Sequence, residues 1–255
     1  MRFGAFVMNP IARHLINWLY PLRCEGCDLA HSGGEGINQW MCDACVESLP
    51  RIKPPYCETC GESYDGHVSH SFQCGNCAET HLHFDFAVAA FEASGTVREL
   101  IHRFKYQREL HLRGLLAALL AEAFKEPRLA NICPEEWLLV PVPLHRLRRW
   151  SREFNQSWEI CKQLSRLAGI PVCNALSRIQ PTRSQARLTR RQRLINLRGS
   201  FRLSRIPSAR HRIAGANVLL LDDVLTTGST ASECAKILKR EGGAEKVVVI
   251  SVGRG

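Results

Sequence analysis

Nowhere in the chain do about 20 apolar residues follow one another without interruption, so no segment reads as a membrane-spanning helix. The most apolar stretch ahead of the first cysteines contains Phe3, Phe6, Val7, Met8, Ile11, Leu15, Ile16, Trp18 and Leu19, and Pro10, Arg13 and His14 break it. No small-residue cleavage site follows. The expectation is a cytoplasmic protein without membrane insertion, whose residues 1–22 form an amphipathic helix packed on its own body. Long stretches poor in apolar residues are missing too, which excludes disorder throughout. With 255 residues, 45% of them hydrophobic, the chain has material for one ordinary domain plus a small one. Acidic residues are scarce in one place. Residues 140–215 hold 17 Lys and Arg against Glu153 and Glu159 alone, in a chain whose totals are 34 basic and 24 acidic. The remainder is therefore net acidic, and positive charge concentrated in this way points to an anionic partner.

Against these absences stands an abundance of cysteine. Eight of the 12 cysteines form four C-x-x-C pairs, Cys24/Cys27, Cys42/Cys45, Cys57/Cys60 and Cys74/Cys77, separated by 14, 11 and 13 residues. Two residues between thiolates let both sulfurs reach one ion at about 2.3 Å, and a second pair completes a tetrahedron. The pattern reads as two structural Zn²⁺ sites of four cysteines each. Joining neighbouring pairs closes the shorter loops and costs less chain entropy, while an interleaved, cross-braced pairing is also open. A disulfide framework suits a secreted chain, which nothing here indicates, and a redox motif needs one pair only. Residues 24–83 show little long apolar periodicity, so metal is expected to supply much of the local folding free energy. His67, His70, His81 and His83 read as surface residues beside a full set of thiolates. Cys133, Cys161, Cys173 and Cys234 lack metal spacing and read as small buried side chains.

From Phe84 the pattern changes to strands separated by helices. Strands are expected at Phe84–Phe91, Trp137–Val142, Asn217–Leu221 and Lys246–Val252. Helical spacing marks Val97 to Phe104, Leu110–Phe124, Phe154–Ala168 and Ser229–Glu241. Alternation of this kind implies an α/β fold, a mostly parallel sheet covered on both faces. The expected organisation is a helix over 1–22, a double zinc ribbon over 23–83 and the α/β domain over 84–255.

Ligands of such sheets bind at the carboxyl ends of the strands. There the run from Val218 to Thr230 gives an apolar strand, two acids, a loop of small hydroxylated residues and a helix start. Thr226, Thr227, Gly228, Ser229 and Thr230 would present backbone N–H groups and hydroxyls to a phosphate, helped by the helix dipole. Asp222 and Asp223 would repel phosphate but accept hydrogen bonds from a vicinal diol. Phosphate and diol together describe a ribose 5-phosphate.

This run resembles the signature of type I phosphoribosyltransferases. The resemblance implies that Asp222 and Asp223 hold the ribose hydroxyls of phosphoribosyl pyrophosphate, that Thr226 to Thr230 wrap its 5-phosphate, and that Mg²⁺ accompanies it. It also implies a loop that grips pyrophosphate. Val140-Pro141-Val142-Pro143-Leu144-His145 with Arg146, Arg148, Arg149 and Arg152 is its counterpart, and Lys105 is a candidate for the same site. Guanidinium groups suit that task because they bind phosphate oxygens bidentately.

Further stretches are similar, in order and spacing, to the ComF family over nearly the whole chain from Leu22 to Gly253. They are the paired cysteine ribbons, Phe104-Lys105-Tyr106, Phe154-Asn155-Gln156-Ser157, Thr182-x-Ser184-Gln185-x-x-Leu188, and Arg193-x-x-Asn196-Leu197-x-Gly199-x-Phe201. Glu153 departs from the family, which usually has glycine there, and puts a carboxylate in the pyrophosphate loop. The resemblance implies a role in DNA uptake or utilisation, with single-stranded DNA and other competence or DNA-processing proteins as partners. Three functions stay open: an enzyme transferring a phosphoribosyl group to an unidentified acceptor, a non-catalytic module that binds DNA or senses the metabolite, and a regulator working through its ribbons. The polar segment Pro181–Phe201 reads either as a cover over the site or as a surface helix.

Overall fold

A computed structural model describes residues 22–64, 66, 68, 72–144, 154–180, 197 and 199–255. The helix expected over 1–22 therefore lies outside the described residues except for Leu22. Two compact units are present, Met1–Leu49 and Pro50–Gly255. In the smaller one, strands β1 (Leu22–Arg23) and β2 (Ala30–His31) pair antiparallel. A short helix, α1 (Asp43–Glu47), follows, and among the described residues of this unit Cys24, Ile37, Met41 and Leu49 are buried.

The larger unit begins with the second group of cysteines and the short helix α2 (Gly75–Glu79). Next come β3 (Phe86–Glu92), α3 (Gly95–His102), α4 (Arg113–Ala121), β4 (Trp137–Pro141) and α5 (Gln156–Ala168). Strands β5 (Leu176–Arg178) and β6 (Phe201–Leu203), helix α6 (Pro207–Ile213), β7 (Asn217–Leu225), α7 (Ser229–Arg240) and β8 (Lys246–Arg254) complete it. The sheet runs β3-β8-β7-β4, and every pairing in it is parallel.

Parallel strands need both faces covered, and the burial follows that rule. Every residue of β4 and all but the first of β8 are buried. Side chains alternate between faces along a strand. On one face Val218, Leu220, Val247 and Val249 join Ala231, Cys234, Ala235 and Leu238 of α7 in a single core. On the other, α4 packs against α5 and β8.

The free edge of β3 is closed by chain from the second cysteine region. Ile52 N–H donates to Ala90 O (3.0 Å), Ala87 N–H to Thr59 O (2.9 Å) and Glu92 N–H to Pro50 O (2.8 Å). At the opposite edge Leu139 forms a parallel bridge with Val172. An unpaired edge is thus avoided on both sides where these contacts occur.

The expected alternation is present, with instructive differences. Strands β7 and β8 run on to Leu225 and Arg254, because their polar ends are still paired, Leu225 in register with Arg254. The helix expected over Leu110–Phe124 comes in three parts, 3-10 turns at Leu110–Leu112 and Glu122–Lys125 flanking α4. Helix α3 continues as a π turn over Arg103–Gln107 and stops at Arg108, whose φ of 62° is left-handed. The antiparallel pair β5/β6 and the seven-residue α6 were not expected. Each strand has only three residues, within an arginine-rich stretch whose polarity hides any alternation. Cys161, Cys173 and Cys234 are buried as expected, but Cys133 is exposed and its thiol donates to Glu135 Oε2 at 2.8 Å. Its apolar neighbours in sequence do not enclose it, because it precedes the 3-10 turn Pro134–Glu136 at the surface. Among the described residues no helix is long and apolar enough to cross a membrane.

Candidate functional site

Neighbouring cysteine pairs converge. Cys24, Cys27, Cys42 and Cys45 form one cluster, Cys57, Cys60, Cys74 and Cys77 another, and within each the sulfurs lie within 4.8 Å of one another. Four sulfurs placed about 2.3 Å from one ion at tetrahedral corners stand about 3.8 Å apart. Cys27 and Cys42 are separated by 3.8 Å and Cys60 and Cys74 by 3.7 Å.

Backbone amides serve the same purpose in both clusters. Cys42 N–H donates to Cys24 Sγ (3.2 Å), as Cys74 N–H does to Cys57 Sγ (3.3 Å). Such bonds stabilise thiolate, the form that ligates metal. The donor set and spacing fit two zinc ribbons, each with four thiolate ligands. The two differ in surroundings. All four cysteines of the second cluster are buried and belong to the core that also contains Val218, Leu220 and α7. In the first, Cys27 is exposed. Of the four neighbouring histidines, His81 is exposed and His83 half-buried, while His67 and His70 lie outside the described residues.

The phosphate-loop candidate lies at the carboxyl end of β7. Gly228 has φ of 72°, which a glycine adopts without strain, and it caps the start of α7. Thr227 and Ser229 hydroxyls are 3.0 Å apart, so both address the same space. A cavity of about 120 Å³ is lined by Asp222, Val224, Leu225 and the run Thr226, Thr227, Gly228, Ser229, Thr230 and Ala231. Beneath the loop, a Cβ at Gly228 would touch the Phe84 ring at 3.5 Å, and His83 N–H donates to Ser232 Oγ (3.0 Å).

The paired acids are addressed from different sides. Asp222 lines the cavity and accepts the N–H of Asp223 at 2.9 Å. Asp223 accepts from Val224 N–H (2.7 Å) and forms an ion pair with Lys105 Nζ, also at 2.7 Å. Lys105 is carried there by the π turn after α3, in which Phe104 is fully buried and pins the segment. Inserted π turns re-aim side chains and recur at functional positions. Burial, reinforced by the Asp223 carboxylate, pushes the Asp222 carboxyl up to about 7, against the opposing pull of Lys105 and Arg178.

Pro141 is in register with Leu221 and Val142 N–H donates to Leu221 O (2.9 Å). Buried Pro143 and half-buried Leu144 therefore leave the sheet at the end where the acids stand. Asn155 Nδ2 donates back to Val142 O at 3.4 Å, tying together the two ends of the basic loop. His145, Arg149, Arg152 and Glu153 lie outside the described residues, as do 181–196 within the expected cover.

Two residues at this site were not anticipated from the sequence. Arg178 on β5 acts electrostatically on Asp222, and its guanidinium lies 5.2 Å from the Phe201 ring centre. Arg254, buried at the end of β8, reaches both Cys60 and Leu225. The usable signal for Arg254 was an arginine two residues beyond the apolar run Val247–Val252, which only Ser251 interrupts. That for Arg178 was hidden among so many other arginines.

A family model described as a double zinc ribbon domain matches residues 15–78. Competence protein F of Haemophilus influenzae is 32% identical over 215 residues, 84% of this chain and 90% of that protein. The DNA utilization protein YhgH of Salmonella typhi is 31% identical over 210 residues, 82% of this chain and 88% of its own. Competence protein ComFC of Bacillus subtilis is 23% identical over 217 residues, 82% of each chain.

Two outcomes follow from this geometry. Native mass spectrometry should find two zinc ions per chain, and Cys57→Ser should retain one. An unchanged count in the variant would contradict the assignment of that cluster. The raised Asp222 carboxyl favours the folded state while it is protonated, so its contribution is full below the unfolded value near 3.8 and is lost as pH rises through about 7. Asp222→Asn should therefore melt higher than wild type at pH 8, by at least about 3 °C, and the gap should shrink toward pH 5. Melting curves with a gap independent of pH would refute the shift.

Proposed function

The chain belongs to the ComF family, and from that premise we propose that it binds phosphoribosyl pyrophosphate at the end of β7 and serves the uptake or utilisation of DNA. The observation that carries the first half is the cavity bounded by Asp222 and the Thr226–Ala231 run, at the start of a twelve-residue helix. Backbone N–H groups at a helix start together with hydroxyls suit a phosphate. The carboxylates of Asp222 and Asp223 suit the two ribose hydroxyls, which donate to them. Lys105, paired with Asp223, stands ready for an oxygen of the ligand.

Such a site holds the sugar by its 5-phosphate at one end and its diol at the other, leaving C1 toward the basic loop that begins at Pro143 and Leu144. In the transfer reading, the C1–O bond breaks with its electron pair going to pyrophosphate, positive charge develops on the sugar ring, and a nucleophilic acceptor bonds to C1 and gives up its proton. Mg²⁺, when bound, would neutralise the departing pyrophosphate. The arginines at 149 and 152 and His145 would share that role, and the acid pair would fix the ring for attack.

The names of the Haemophilus and Salmonella relatives, competence and DNA utilization, support the second half. So does the charge of residues 140–215, with 17 Lys and Arg against two acids. Phosphoribosyl pyrophosphate carries only about five negative charges, so this window suits a polyanion such as single-stranded DNA as a further ligand. A cytoplasmic location accords with both ligands.

Calorimetric titration with phosphoribosyl pyrophosphate and Mg²⁺ tests the sugar site. Wild type should bind, and Asp223→Ala should bind at least about 10-fold more weakly, a loss of about 1.4 kcal/mol. Absence of binding by wild type would refute it. For the polyanion, log K for single-stranded DNA should fall with log salt by about 0.7 per phosphate contacted. Failure to bind DNA even at low salt would remove that part, and release of pyrophosphate in the presence of candidate bases would separate a transferase from a binding module.

A further inference from the structure

Arg254 lies at the end of the last strand and is buried, 7% exposed, so its charge must be met inside the protein. The guanidinium divides its donors between two distant segments. Nε donates to Cys60 O (3.1 Å), and Nη2 approaches Cys60 Sγ (3.6 Å) and Glu62 Oε2 (3.2 Å). Nη1 donates to Leu225 O at 3.0 Å and also to Gly255 O. Leu225 is the residue immediately before the Thr226–Thr230 loop. Cys60 belongs to the second cysteine cluster.

The far side of the loop meets the same part of the chain. Phe84 and Leu82, which follow Cys77, lie under Gly228, and His83 N–H holds Ser232 Oγ. The loop's entry and its exit are thus both fastened to chain that the second cluster organises.

We propose that Arg254 is a positioning residue that couples the second cysteine cluster to the phosphate loop, so that metal held by Cys57, Cys60, Cys74 and Cys77 keeps the loop in its binding shape. The coupling rests on the reading of Thr226–Thr230 as a phosphate site only for its consequence for ligand binding. The link itself is geometric. A planar fork of donors can bridge a thiolate, three carbonyls and a carboxylate at once, which a lysine ammonium cannot match in direction. Linkage makes the effect reciprocal: a ligand in the loop should tighten the cluster's hold on metal at equilibrium by the same factor.

The test uses the full chain as wild type, Arg254→Met and Arg254→Lys, with three readouts. These are amide exchange at 225–231, the rate of zinc release to a chromogenic chelator, and the affinity for phosphoribosyl pyrophosphate with Mg²⁺. Arg254→Met should raise exchange at 225–231 and speed release of one of the two zinc ions by at least about 10-fold, with a similar loss of affinity. Arg254→Lys should fall between it and wild type. Should Arg254→Met fail to fold, Arg254→Lys and wild type stripped of zinc supply the same comparison of exchange at 225–231. Unchanged exchange and zinc release in the variants, or unchanged exchange in the stripped wild type, would overturn the coupling. Wild type that fails to bind the sugar phosphate while these couplings are seen would count against the proposed ligand and leave the coupling standing.

Discussion

The parallel pairing of β7 between β4 and β8 is the constraint on which the rest of the site depends. Because β7 is hydrogen-bonded on both sides from Asn217 to Leu221, and to β8 as far as Leu225, the backbone carrying Asp222 and Asp223 has no freedom to shift. A slip of one residue would send Leu219 and Leu221 to the opposite face and turn the core inside out. Register thereby becomes chemistry. The acids emerge where β4 gives way to the basic loop and where the turn into α7 begins. The same register sets Leu225 opposite Arg254, so the last strand delivers a buried cation to the base of the loop.

Around that constraint the molecule arranges its charges by distance from solvent. Asp222 and Asp223 are adjacent on a strand and would repel one another in the interior, and two cations oppose that repulsion, Lys105 acting on both acids and Arg178 on Asp222. Lys105 meets Asp223 at 2.7 Å, while Asp222 accepts a backbone N–H and lines a cavity. An acid held near its protonation point beside a polar cavity is characteristic of a place where a hydrogen-bonding ligand completes the set. The second cysteine cluster adds a further element. Its four buried thiols share the core of the sheet's face, so metal there bears on the larger unit and not merely on a separate ribbon.

Local chemistry was legible in the sequence and long-range chemistry was not. The C-x-x-C pairs reveal themselves because two ligands to one ion must be close along the chain. The acids and the Thr-Gly-Ser loop are contiguous for a similar reason, as a strand end and a helix start need only a few residues between them. The alternation of strands and helices disclosed the α/β class. By contrast, Arg254 meets Cys60 across 194 positions, and no local pattern marks that pairing. Lys105 is a candidate from its place on the basic side of its helix, but its ion pair with Asp223 depends on a π turn that hydrophobic spacing does not disclose. The apolar sequence around Cys133 suggests burial, yet the thiol is exposed, because neighbours in sequence are not neighbours in space. The β5/β6 pair was missed since three-residue strands rich in arginine carry too little alternation to detect.

A crystal structure of the zinc-loaded protein with phosphoribosyl pyrophosphate and Mg²⁺ is the most direct examination of the central claim. The 5-phosphate should sit on the N–H groups of Thr226–Thr230, with the ribose hydroxyls on Asp222 and Asp223 and the pyrophosphate toward the loop after Leu144. A sugar phosphate bound elsewhere, or an empty loop at saturating ligand, would contradict it.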